Sequence, residues 1–126
     1  MKIAFSVVLF LLSLTATAQD IEIKNLKKHV YFLADDKMKG RGTGSKQTEK
    51  DAAYIRKEFK KLNLQALGNE GYYQPFKAKV RRVIVPDSLR DAKNVICFLD
   101  NGTEKTIVIG AHYDHLGEGK QESSRD

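Results

Sequence analysis

The chain predicts an α/β fold. Two stretches carry apolar residues at helical spacing, three later stretches read as strands, and one of those strands is apolar at every position. The helical stretches come first and the strands follow. The composition agrees: 41% hydrophobic and 30% charged residues suit a globular chain, whereas a disordered chain is poorer in apolar residues. At 126 residues the chain is one domain or part of one. Its single Cys excludes an internal disulfide and a multi-Cys metal cage.

Residues 1–18 read as a secretory signal peptide, to be excluded from the fold. Lys2 supplies a positive start, an apolar run of about twelve residues follows, and Ala16-x-Ala18 fits a small-residue cleavage site. A membrane span needs about twenty apolar residues, so no stable membrane anchor is expected after cleavage. The mature part, residues 19–126, is expected to be exported to a periplasmic or extracellular space. No Cys stands near the cleavage site to carry a lipid.

The net charge is +6. Basic residues outnumber acidic ones up to Lys93, and acidic ones outnumber basic from Asn94 on. Acids interleave with the bases and the chain is exported, so the basic total reads as a solvated surface and not as a nucleic-acid partner.

Ile23, Leu26, Val30 and Leu33 follow one another at spacings of three, four and three, which predicts a helix over about residues 21–35. His29 within it reads as a boundary residue. Gly40-Arg41-Gly42-Thr43-Gly44-Ser45 interrupts the pattern. Ala52, Ile55, Phe59 and Leu62 repeat the same spacing and predict a second helix. Thr48-x-x-Asp51 is a loose capping box for it, with Ser45 a second cap candidate. Glu58 between Lys57 and Lys61 allows weak ion pairs on the outer face. Asn63 is its expected stop, after which Gly68, Gly71 and Pro75 break the chain.

Residues 76–85 read as a first strand and 94–99 as a second. Asp100-Asn101-Gly102 signals a hairpin, because Asn-Gly tolerates the positive φ angles of a tight turn. Residues 106–112 then form a third strand. Ile107-Val108-Ile109 lacks the alternation of a half-buried strand, so this one is expected in the middle of a sheet covered on both faces. The residues from Gly117 to Asp126 are polar apart from glycine and offer no cover. The chain is therefore expected to be the front piece of a larger domain.

His112-Tyr113-Asp114-His115 stands at the end of that strand, where open α/β sheets bind ligands. Residues two apart share a strand face, so Asp114 can meet the ring of His112. A zinc-bound imidazole needs such a partner on its second nitrogen. Taken alone, His-x-Asp is short enough to arise by chance. Gly40-x-Gly42-x-x-Ser45 loosely matches a dinucleotide loop, but a helix precedes it where that loop requires a strand. Cys97, between Ile96 and Phe98, reads as a small buried hydrophobe.

Four pieces in order resemble metallopeptidase family twenty-eight, the zinc aminopeptidases and their relatives. They are Leu33-Ala34-Asp35-Asp36 with the Gly40 to Ser45 loop, Gly71-Tyr72-Tyr73-Gln74-Pro75-Phe76, Asn94-Val95-Ile96, and Ala111-His112-Tyr113-Asp114-His115-Leu116-Gly117. The resemblance implies a three-layer α/β/α sandwich with a mixed sheet, of which this chain is a partial version lacking the C-terminal half. It implies two Zn²⁺ ions and peptide substrates. His112 matches a metal ligand, and Asp114 matches the residue that orients it without binding metal. His115 matches no role. The bridging Asp, the Glu general base and the remaining ligands have no counterpart here, and Asp126 lacks the context of the bridging Asp. In that chemistry the metals lower the pKa of a shared water and a carboxylate takes its proton. One His cannot hold such a centre, so the chain alone is expected to be inactive. Two other readings stay open: a related His-x-Asp zinc hydrolase or glutaminyl cyclase-like enzyme, and a non-enzymatic exported basic module.

Overall fold

A computed structural model describes residues 22–80 and 88–118. The signal peptide expected over 1–18 lies outside them, as do the end of the first predicted strand and Asp126. By its internal contacts the chain divides into two units, Met1–Val30 and Tyr31–Asp126. Among the described residues no helix is long and apolar enough to cross a membrane.

Helix α1 spans Ile23–Leu33, inside the predicted range. Its stripe forms, yet Ile23, Leu26 and Val30 all remain more than half exposed. A 3-10 helix, Asp36–Arg41, follows, with the Asp35 carboxylate accepting from Lys37 N–H at its start. Helix α2 spans Lys46–Lys61. Its cap is Ser45, whose Oγ accepts from Thr48 N–H at 3.2 Å. The box predicted at Thr48 does not cap: the helix starts a turn earlier, and Asp51 is inside it and fully buried. Asn63 adopts φ 53, and the N–H groups of Asn63 and Leu64 donate to Lys60 and Phe59 carbonyls. That pattern closes the helix with a left-handed residue, as expected of the stop. The predicted outer-face pair forms as Lys61 Nζ to Glu58 at 2.5 Å.

Strands β1 (Gln65–Ala66) and β4 (Cys97–Phe98) make one antiparallel pair. Strands β2 (Tyr73–Val80) and β3 (Ser88–Val95) make another, in register from Tyr73 opposite Val95 to Val80 opposite Ser88. Pro75 does not break the chain but lies within β2, which a two-stranded sheet permits because every strand there has a free edge. The second predicted strand divides into the end of β3 and β4, with Ile96 between them donating its N–H to Tyr72 O.

The third predicted strand is not formed. Residues 106–112 belong to no strand, and Ile107, Val108 and Ile109 are 87, 89 and 92% exposed. The hairpin expected at Asp100-Asn101-Gly102 is therefore not made, and only a local bond remains there, Gly102 N–H donating to the Asp100 carboxylate. A strand cannot satisfy its own backbone, so without a neighbour the β-favouring run has nothing to pair with. Helices with small antiparallel sheets make the fold mixed α/β.

The buried interior is small and lies where the 3-10 helix meets α2: Met38 and Ala52, beside Thr48 and Asp51. Phe32 stacks on Tyr54 with ring centroids 3.8 Å apart. On the other side of α2, Glu49 takes an ion pair from Lys93 of β3 at 2.6 Å, and Lys93 and Arg56 both stand over the Tyr73 ring.

Candidate functional site

The glycine-rich loop before α2 and the His112 segment meet. Their contact is backbone first: Gly42 and His115 form a parallel bridge, His115 N–H donates to Arg41 O at 2.8 Å, and Gly117 N–H donates to Gly40 O at 2.7 Å. Gly40 adopts φ +62, and a Cβ there would fall 2.6 Å from Gly117 O. The close approach leaves no room for a side chain there, and glycine takes that φ without strain. Gly44, at φ +75, brings the loop equally close to β3, where a Cβ would stand 2.9 Å from Arg90 Cβ.

Arg41 is the pivot of the junction. Its Nε donates to Tyr113 O at 3.0 Å and its Nη1 donates to Leu33 O, so one guanidinium ties α1's last turn to the His112 segment. The same Nε stands 3.7 Å from Asp51 Oδ2, and both Asp51 oxygens are buried without a hydrogen bond. Burial pushes the Asp51 carboxyl up, and Arg41 pulls it back only in part. Tyr113 packs into the same place. Its hydroxyl donates to Lys93 O at 2.5 Å, and its pKa is pushed up to about 12 by burial, with Glu49, Asp114, Asp51 and Tyr73 adding to the effect.

This packing points Tyr113 inward and leaves its neighbours outward. The His112 side chain is 82% exposed. Its Nδ1 lies 2.9 Å from the Asp114 backbone carbonyl and 3.4 Å from Asp114 Oδ1. The other Asp114 oxygen accepts from Thr43 Oγ1 at 2.7 Å. His112 and Asp114, singled out by their spacing, thus stand together. They do so in an irregular segment and not on a strand face. His115 takes part through its backbone.

Among the described residues no three His, Cys, Asp or Glu side chains gather as a metal site requires. Zinc normally takes four ligands, and the described residues bring His112 as a single donor. Cys97 is half-buried in β4, and burial pushes its thiol up, so it is no ready nucleophile.

Thr43, Arg41, Asp51 and Tyr113 carry the geometry but had not stood out as site residues. Thr43 and Asp114 are 71 positions apart, and nothing local announces their contact. A partial signal existed in Arg41, a large cation between two glycines. No family model, no curated protein and no solved structure matches the chain.

Proposed function

We propose that this chain is the N-terminal portion of an exported zinc-dependent exopeptidase, of aminopeptidase type, and that His112 is one of its metal ligands with Asp114 behind it. One observation carries the reading: the loop of residues 40–45 and the segment 111–117, two of the four pieces of the resemblance, meet, and the Nδ1 side of His112 faces Asp114. That leaves Nε2 as the ligating atom, the arrangement zinc histidines use. Residues 107–109 support the larger three-layer sandwich in turn. An apolar run so exposed, and in no strand here, is what a sheet position lacking its neighbours would leave.

Zinc, when bound, would lower the pKa of a water and so furnish the nucleophile for a peptide carbonyl. Within this chain the work is narrower. His112 offers one lone pair, Asp114 holds the ring, and the Arg41 junction fixes the segment that bears both. The 126 residues by themselves are expected to hydrolyse no peptide.

The test is an ordering of variants in protein made from the complete reading frame. His112→Ala is expected to lose most zinc at its site and nearly all turnover of an aminoacyl anilide. Asp114→Asn should lose about 10–100-fold in activity or affinity and regain metal at raised zinc. His115→Ala should be the mildest. Unchanged zinc content in all three would end the proposal.

A further inference from the structure

We infer that Thr43 is a positioning residue for His112: through Asp114 it holds the imidazole in the tautomer with its proton on Nδ1. The oxygens around the ring require this state. Nδ1 faces the Asp114 backbone carbonyl at 2.9 Å and the Asp114 carboxylate at 3.4 Å. A carbonyl and a carboxylate only accept, so Nδ1 must donate, and the lone pair falls to Nε2.

The carbonyl alone would leave the carboxylate free to turn, since the Asp114 side chain is 44% exposed. Thr43 prevents that turn. Its hydroxyl donates to Oδ2 at 2.7 Å and so directs Oδ1 toward the ring. A charge-assisted bond of this length is among the stronger ones available.

Thr43 can serve because its own backbone is held on both sides. Before it, Arg41 O and Gly42 O accept from His115 N–H and Ser45 N–H. After it, Gly44 abuts Arg90. Thr48 Oγ1 also reaches Gly42 O, at 3.3 Å. The glycine-rich loop therefore does more than start α2: it presents one hydroxyl to a carboxylate 71 positions away.

This inference rests on His112 and Asp114 acting as a pair, but it needs no metal to be tested. Protein made from the complete reading frame, labelled with ¹⁵N-histidine, is measured by NMR without zinc about two pH units above the ordinary histidine value of about 6.5. The His112 signals are identified by their loss in His112→Gln. In the wild type the Nδ1–H form should predominate. Thr43→Val, which keeps the shape and removes the hydroxyl, should lower the ratio of Nδ1–H to Nε2–H about fivefold, the usual net worth of one hydrogen bond. Thr43→Ser should restore it.

A merely structural Thr43 would change the melting point and leave the ratio alone. An unchanged ratio in Thr43→Val, or a wild type that is mostly Nε2–H, overturns the inference. If Thr43→Val does not fold, Thr43→Ala is read in its place and must lower the ratio in the same way. Failure of the complete protein to take up zinc would sink the peptidase reading and leave this result standing.

Discussion

Gly42 is buried, bridged to His115 and bonded from the first turn of α2, whereas Val108 is 89% exposed and has no strand beside it. The first belongs to a polar, glycine-rich loop and the second to a wholly apolar run. Hydropathy alone would have ranked them the other way. The difference lies in where each can find partners. The loop's donors and acceptors are met by a helix start and by four residues of one later segment, Tyr113, Asp114, His115 and Gly117. A buried strand needs a neighbour on each edge and a layer on each face, and the described residues provide none of these for residues 107–109.

The largest effect is expected from breaking the ordered side. Gly40→Val should cost about 3 kcal/mol, combining left-handed strain with loss of a close backbone approach. Urea unfolding would read the loss, and faster amide exchange at His115 and Gly117 would locate it. Next is the helix start that holds Gly42. Ser45→Ala removes the acceptor for Thr48 N–H and should cost about 1 kcal/mol in the same assay.

A smaller effect belongs to Asp51. Its carboxyl is raised in the folded chain, so the native state holds that proton more tightly than the unfolded state does. Stability from this group is therefore present at low pH and lost as pH climbs from about 4 through the raised value. Asp51→Asn should flatten that fall, seen as a smaller difference between urea midpoints at about pH 4 and about pH 7. A steeper fall in the variant would mean that Arg41, not burial, governs the carboxylate.

The smallest change in stability should come from the exposed side. Ile107→Lys combined with Ile109→Lys should stay within about 0.5 kcal/mol of the wild type, because neither side chain is packed. The same pair of changes should reduce self-association in sedimentation at micromolar concentration. A large loss of stability would show that residues 107–109 are covered in solution and would erase the contrast with Gly42.

Local chemistry was legible in the sequence. Helices α1 and α2, the left-handed stop at Asn63 and the bond between Gly102 and Asp100 all depend on residues within a few positions of one another. The pairing of strands was less so. Pro75 looked like a break because nothing beside it in the chain announces its partner, Lys93 of the next strand. His112 and Asp114 could be singled out because two positions of spacing suffice to bring them together. The contact of Thr43 with Asp114 and that of Arg41 with Tyr113 could not, since each spans about seventy positions and leaves no periodic trace.

That span has a kinetic side. The parallel bridge between Gly42 and His115 closes a long loop through both strand pairs, so its first bond must offset the entropy of bringing two distant segments together. Helix α2 and the β2–β3 pair can form earlier, from nearer contacts. The junction that carries His112 should thus be assembled late in folding and be the first to open.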